Sequence, residues 1–339
     1  MPTIKDVAQL AKVSPTTVSY VLNGTRYVSP ATEARIRAAI EELDFRPDSI
    51  ARSLRAKRTM TVGMIVSDIT NPFYADIVRG AQDVLADRHY TLILSNTDEA
   101  PARELESLYT LRQKKVDGLI AVSTGANSEA FHKASESHFP IVLVDRQLPE
   151  DRLCTIVVDD ELGAYQATQH LIGLGHRRIG IIMGKVGIST TDHRRAGYEK
   201  ALREAGIPID PVLMVHGHST LEGGAAASSI LLRLSPPPTA IFATNNLMTV
   251  GLFLAIKEHK LRCPEEIAVV GFDDIIWLSA FRPTLTTVAQ PSYELGKQAA
   301  ELLWNMMEAK KSHDPCVIVL PPTLVIRESS GHAISSVAP

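Results

Sequence analysis

The chain is poor in cysteine, in long apolar runs and in net charge, and each shortage removes a class of protein. Its three cysteines, Cys154, Cys263 and Cys316, are odd in number and scattered over 339 residues. Neither a disulfide framework nor a zinc site is expected from such spacing, and a reducing cytoplasm is the expected setting. The longest apolar runs, such as TVGMIV and RIGIIMG, fall far short of the ~18 residues that a membrane helix needs. No basic start leads into an apolar stretch, so no secretory signal is expected. No Ser, Cys or Lys sits in a recognisable nucleophile motif, and no carboxylate pair declares itself as acid and base, so no catalytic residue is named. His216 and His218 alternate at a strand end with metal-like spacing but lack further ligands, and no metal is expected. GLGHRR, Gly173 to Arg178, precedes a strand and lacks a third glycine, so it reads as a helix stop and not as a phosphate loop. No cofactor is called for.

What is present points to two or three folding units, since 339 residues exceed one ordinary compact core. A hydrophobic content of 45% with 22% charged residues describes a soluble globular protein. The net charge of −3 hides an asymmetry: residues 1–60 carry ten Lys/Arg against six Asp/Glu, and the remainder 25 against 32. A small basic head on an acidic body suggests that the head meets a polyanion.

The head reads as short helices. Thr3-Ile4-Lys5-Asp6 has the spacing of a helix start, with Val7, Ala8, Leu10 and Ala11 expected on one inner side. Ser14 can accept from the amide of Thr17, Pro15 suits the first helical position, and Gly24 can end the helix with positive φ. Val18, Val21 and Leu22 form its inner side, which leaves Thr16, Thr17, Ser19, Tyr20 and Asn23 outside. A third helix starts at Ser29-Pro30 and runs to about Leu43, with Ala34, Ile36, Ile40 and Leu43 inward. Two short helices across a tight turn, the second showing threonines and a tyrosine, suit the major groove. A plain three-helix bundle is the alternative. Lys12 stands where the turn often has Gly, a modest strain if its φ is positive. After Pro47, the segment Ile50 to Lys57 reads as a last short helix, to which Arg52, Arg55, Lys57 and Arg58 give strong positive charge around an exposed Leu54. A minor-groove wedge explains it, with arginines on phosphates and Leu54 between base pairs; a solvated basic linker is the alternative.

These stretches, TIKDVAQLAKVSPTTVSYVLNG and VSPATEARIRAAIEELDFRPDSIARSLR, resemble the DNA-binding head and hinge of the lactose-repressor (LacI/GalR) family. The resemblance implies that Pro15, Thr16 and Tyr20 occupy the recognition-helix positions that set operator choice, and that Leu54 is the hinge leucine entering the central base step. Pro15 departs in kind, because it offers no side-chain hydrogen bond, and base reading would fall on Thr16 and Tyr20.

From Thr61 onward, continuous apolar strands alternate with amphipathic helices in two series, the pattern of parallel sheets covered on both faces. Ligands bind beyond the carboxyl ends of such strands. Asn71, Phe73 and Tyr74 follow the first strand, Asp145 and Arg146 follow PIVLV, and Arg194 and Arg195 follow RIGIIMG after a loop. Asn245 and Asn246 follow TAIFAT, Asp273 follows AVVGF, and Gln290 ends TTVAQ. Amides, carboxylates, guanidinium groups and rings suit a small polyhydroxylated ligand. This set also resembles the ribose-type periplasmic binding proteins, which implies effector contacts at Asn71, Phe73, Tyr74, Asp145, Arg146, Arg194, Asn245, Asp273 and Gln290. Two departures imply a wider pocket than one for a bare pentose: the aromatic ring expected near Ser219 is absent, and Asn246 stands where an Asp usually follows Asn245.

The expected fold class is an all-α helix-turn-helix head plus an α/β body of two doubly wound parallel-sheet lobes, periplasmic-binding-protein-like. Residues 1–46 are expected to form the DNA-binding domain, with Pro15, Thr16, Thr17, Tyr20, Asn23, Leu54 and Arg55 at the DNA, and 47–60 the hinge helix and linker. Residues 61–339 are expected to bind effector and dimerise, with lobe one at about 61–160 and 291–320 and lobe two at about 161–290 and 321–330. The return of the last helix (Tyr293–Lys310) and strand (Val317–Leu320) to lobe one rests on the resemblance. The expected function is a ligand-responsive DNA-binding transcriptional regulator, in the first instance a repressor. It would bind a near-palindromic double-stranded DNA operator as a homodimer and answer to a sugar, sugar acid or related polyol. A solute-binding protein would need a signal peptide and no head, and an enzyme on the same lobes would need a catalytic constellation.

Overall fold

A computed structural model of the chain describes residues 2–24, 26–45, 58–150, 152–276, 280, 282–309 and 314–331. The expected hinge helix, with Leu54 and Arg55, lies outside the described residues, as does the side chain of Asn23. The chain divides into two compact units, Met1–Thr59 and Met60–Pro339.

The first unit has three helices, α1 (Ile4–Leu10), α2 (Pro15–Asn23) and α3 (Pro30–Glu42). Their ends follow local chemistry. The Thr3 amide donates to the Asp6 carboxylate at 2.6 Å, and Ser14 Oγ accepts from the Thr17 amide at 3.1 Å. Gly24 closes α2 in the left-handed region at φ 63°, where a residue without Cβ carries no penalty. Lys12 adopts φ 53° in the turn between α1 and α2, so the anticipated strain is present. Val7, Ala8, Ala11, Val18, Ile36, Ala39 and Phe45 make the core. Two inward assignments fail. Leu10 is 42% exposed, because in a helix of only seven residues Ala11 sits closer to the Val7–Ala8 side. Ala34 is exposed, since two residues before Ile36 lies roughly opposite it on a 3.6-residue turn, and Ala39 fills the inner position instead.

The second unit holds two six-stranded sheets. The sheet of lobe one contains β1 (Thr61–Val66), β2 (Thr91–Asn96), β3 (Gly118–Ala121), β4 (Ile141–Val144), β5 (Cys154–Val158) and β11 (Val317–Leu320), in the order β2-β1-β3-β4-β5-β11, all parallel. Its helices are α4 (Pro72–Asp87), α5 (Pro101–Gln113), α6 (Ser128–Glu136) and α11 (Ser292–Ala309). The sheet of lobe two contains β6 (Ile179–Met183), β7 (Met214–His216), β8 (Ala240–Ala243), β9 (Ala268–Phe272), β10 (Thr286–Ala289) and β12 (Thr323–Val325), in the order β7-β6-β8-β9-β10-β12, only β12 antiparallel. Its helices are α7 (Asp160–Gly173), α8 (Ser189–Glu204), α9 (Leu221–Leu232) and α10 (Asn246–Glu258). The central strands are buried along their whole length, save for the half-buried Thr61 that opens β1, as continuous apolar runs require.

The chain passes between the lobes at Asp159, at 290–291 and at 321–322, so three connections carry any lobe movement. The strand CTIVV, the strand TLV and the helix α7 did not announce themselves in the sequence. PVLMVHG supplies only the short β7, because Pro211–Leu213 forms a 3-10 turn first. Helix α11 packs on α4 through glycine: a Cβ on Gly296 would lie 1.8 Å from the Ile77 carbonyl, and one on Gly80 2.0 Å from that of Tyr293. The two backbones are therefore in direct contact, and only glycine fits at the crossing.

Candidate DNA-reading helix and effector cleft

On the head, α2 presents Pro15 and Thr16 to solvent, with Thr17, Ser19 and Tyr20 half-buried beside them. The Thr17 hydroxyl is engaged with Ser14 Oγ at 2.9 Å, and the Arg26 guanidinium lies 5.3 Å from the Tyr20 ring centroid. Thr16 and Tyr20 are four residues apart and share one face of the helix. Small hydroxyls thus stand at the end of α2 where unpaired amides gather positive potential, with the Tyr20 phenol one turn further along the same face.

In the body, the carboxyl ends of the two sheets face one another across a cleft of about 630 Å³. All nine residues expected to contact an effector line it: Asn71, Phe73, Tyr74, Asp145, Arg146, Arg194, Asn245, Asp273 and Gln290. Arg195 does not; it turns outward on α8 to pair with Glu199.

The lobes offer matched features. Asp145 follows β4 and Asp273 follows β9, both at φ 72°, a left-handed conformation that Asp tolerates better than most residues. Each is held by its amide, Asp145 donating to Ile156 O and Asp273 to Val288 O, both at 2.9 Å. Strained residues of this kind collect at functional sites. Burial pushes the Asp145 carboxyl up to about 7, against the pull of Arg146.

The guanidinium of Arg146 donates to both Glu99 carboxylate oxygens, at 2.6 and 2.9 Å, and to the Tyr74 hydroxyl at 2.9 Å. Burial alone would raise Glu99, but Arg146 outweighs it and, with Lys185, holds that carboxyl below the usual range. Arg194 is clamped between Asp160, at 2.7 Å, and the Thr244 carbonyl, at 2.6 Å. Its guanidinium carbon lies 3.8 Å from the Phe272 ring centroid. Gln290 donates to Asp273 at 2.5 Å. Two buried polar atoms in this set, Arg146 Nε and Gln290 Oε1, have no hydrogen-bond partner. Such atoms call for a ligand or an ordered water.

Asn246 does something the sequence did not suggest. It is fully buried and bridges the lobes: its Nδ2 donates to Asn71 Oδ1 at 2.7 Å and its Oδ1 accepts from Asn71 Nδ2 at 3.2 Å. Lys185 adds a second bridge, donating to the Glu99 carbonyl at 3.2 Å, and the Gln147 amide a third, donating to Ser189 Oγ at 3.1 Å. Sequence reasoning also missed Glu99 and Asp160, which fix the two arginines. Glu99 could have been found by extending the strand-end rule to TLILSN, whereas Asp160 follows a strand that was not recognised.

His216 Nδ1 donates to the Gly184 carbonyl, 2.9 Å away, and its ring lies near that of His218. No group of three metal-binding side chains occurs among the described residues. Among the same residues, no helix is long and apolar enough to cross a membrane.

A helix-turn-helix unit joined to a two-lobed, polar-walled cleft defines a DNA-binding regulator that responds to a small ligand. Residues 3–48 match the model of bacterial regulatory proteins of the lacI family, and residues 168–330 match that of a periplasmic binding protein-like domain. The HTH-type transcriptional repressor PurR of Photobacterium profundum is 38% identical, over 97% of this chain and 98% of its own length. A transcriptional regulator CelR solved with cellobiose is similar at TM-score 0.74 and 34% identity, over 97% of this chain and all of that one. The lac repressor dimer bound to operator and an anti-inducer is similar at TM-score 0.87 and 26% identity, over 97% and 99%. The chain belongs to the lacI family of bacterial regulatory proteins.

Proposed function

We propose that this regulator represses transcription by binding a near-palindromic operator as a homodimer, and that a neutral polyhydroxylated effector in the cleft controls that binding. The reading assigns DNA binding to 1–46, a hinge to 47–60, and effector binding and dimerisation to 61–339. Thr16 and Tyr20 read base edges, Pro15, Thr17 and Asn23 support them, and Leu54 with Arg55 enters the minor groove. A single such head contacts few bases, so two-fold pairing on a two-fold site is the economical arrangement, and the operator-bound dimer of the lac repressor supports it. The protein acts by binding, without catalysis, in the cytoplasm.

The observation that carries the effector reading is the pair of buried atoms without a hydrogen bond on the cleft wall, Gln290 Oε1 and Arg146 Nε, the latter with only the Asp145 carboxylate near it at 3.5 Å. Hydroxyls can answer both, one as acceptor and one as donor. Neutrality follows from the charges. Each guanidinium lining the cleft already faces a carboxylate, Arg146 facing Glu99 and Asp145, Arg194 facing Asp160. Asp68, Glu222 and Asp273 line the same space and outnumber its remaining ammonium, Lys185, while Asp98, also on the wall, is paired with Arg103. A sugar acid would enter a field that is already negative, whereas a neutral sugar would not. The cellobiose complex of the related regulator supports a sugar of this kind.

Selection of bound duplexes from a random DNA pool, followed by a thermal-shift screen of neutral sugars and sugar acids, tests the reading. Enrichment of an inverted repeat and stabilisation by a neutral sugar are expected. Enrichment of no sequence would remove the DNA assignment, and stabilisation by sugar acids alone would remove neutrality.

A further inference from the structure

Two of the three cysteines, 162 positions apart in sequence, meet in lobe one. β5 and β11 pair in parallel with Thr155 opposite Val317, which places Cys154 opposite Cys316 one residue earlier. The Thr155 amide donates to the Cys316 carbonyl at 2.7 Å and pins the two backbones together. Both side chains turn to the same side, and their sulfurs are in direct contact as free thiols. Neighbouring strands lie ~4.8 Å apart, inside the ~4.4–6.8 Å of Cα separation that a disulfide spans. Cys263, the third, is in lobe two, its thiol directed at the Ser329 carbonyl at 3.5 Å.

The two partners differ in a way that assigns roles. Cys154 is buried at 3% exposure, and burial pushes its thiol up to about 12. Cys316 is only half-buried, just before the edge strand β11. An oxidant reaches Cys316 first, and Cys154 waits beneath it.

We propose that Cys154 and Cys316 form a reversible two-electron redox site that ties β11 to β5. Hydrogen peroxide or another small peroxide is the oxidant. The Cys316 thiolate attacks the peroxide, an S–O bond forms, the O–O bond breaks, and hydroxide leaves to take up a proton. Cys154 sulfur then attacks the sulfenic sulfur, the S–S bond forms, the S–O bond breaks, and hydroxide leaves with the Cys154 proton as water. Two thiols are oxidised by two electrons in all, and one hydrogen peroxide becomes two waters. A small dithiol reverses the bond by exchange. The oxidised bond fixes the edge strand whose continuation, at 321–322, is one of the three connections between the lobes. Because it closes a long loop, it also raises the melting temperature by several degrees.

The test is a thiol count on the full-length folded protein before and after hydrogen peroxide, read in denaturant after quenching, with peptide mapping by mass spectrometry. Three thiols should fall to one, the whole mass should drop by two hydrogens, and a peptide pair joining Cys154 to Cys316 should appear and vanish with dithiothreitol. Cys263→Ser should leave the linked pair in place, and Cys316→Ser should abolish it. Three surviving thiols, over-oxidation of Cys316 without a linked pair, or a disulfide that involves Cys263 would each overturn the proposal. The wild-type count decides the matter even where a variant folds poorly.

Discussion

Asn246→Asp exchanges an amide for a carboxylate at the point where the lobes touch. The Asn246 amide nitrogen now donates to Asn71 Oδ1 across 2.7 Å, and in the variant two oxygens face each other there. One neutral hydrogen bond contributes ~0.5–1.5 kcal/mol. Asn71 Oδ1 keeps its bond from the Phe73 amide at 3.1 Å, but the new carboxylate oxygen at position 246 is a buried acceptor facing another oxygen, which costs a further ~1–3 kcal/mol. The new charge would also stand beside Asp273, whose Oδ2 already accepts from the residue 246 amide at 3.1 Å, and that repulsion acts in the same direction. A loss of about 2–4 kcal/mol to the bridged arrangement corresponds to a shift of roughly 30- to 700-fold toward separated lobes. Small-angle scattering of the ligand-free protein should show an increased radius of gyration. Calorimetry should show the cleft ligand binding more weakly, because closure must be driven against the opened state. A folded variant with the scattering curve and ligand affinity of the wild type would refute the reasoning.

Three further outcomes follow from other parts of the molecule. Asp145 holds its proton to about pH 7 when folded, whereas an unfolded Asp releases it near ~3.9. Its contribution is therefore complete below about pH 4 and fades as the pH rises to about 7. Urea unfolding between pH 5 and 8 should show stability falling and then levelling, and Asp145→Asn should flatten that decline. Gly296→Ala would push a methyl into the Ile77 carbonyl and should cost ~1–3 kcal/mol as an overpacked contact, read as a lowered denaturation midpoint. Tyr20→Ala should change the operator sequence selected from random DNA, with ~1–3 kcal/mol of discrimination lost, and identical enriched sequences would remove Tyr20 from the reading surface.

What could be read from the sequence was what depends on neighbours along the chain. Ser14, Pro15 and Gly24 bound α2 because a cap, a fixed φ and a left-handed residue act within one turn. The nine cleft residues were reachable because parallel strands deliver ligand contacts at their carboxyl ends, so an apolar run followed by Asn, Asp or Arg marks a position. What escaped depends on partners brought in by the fold. Asn246 was taken as a departure at the pocket, yet its side chain meets Asn71 from the other lobe. Glu99, in the loop after β2, and Asp160, at the first turn of α7, meet their arginines only once the fold brings the separate strand ends together. Leu10 was set inward in a helix of only seven residues, too short for its period to separate flank from centre, and Ala34 was set inward although it lies roughly opposite Ile36 on a 3.6-residue turn. The contact of Cys154 with Cys316 arises only when β11, after a second lobe has intervened, returns beside β5.

The central claim is that the cleft and the head are coupled, and fluorescence anisotropy of a selected operator duplex, titrated with protein at fixed salt with and without the cleft ligand, tests it most directly. The account predicts that saturating ligand changes operator affinity by a definite factor, and that operator changes ligand affinity by the same factor when the titration is reversed. It also predicts that Asn246→Asp, altered only in the body, changes that factor. Operator affinity indifferent to every ligand that binds the cleft would contradict it.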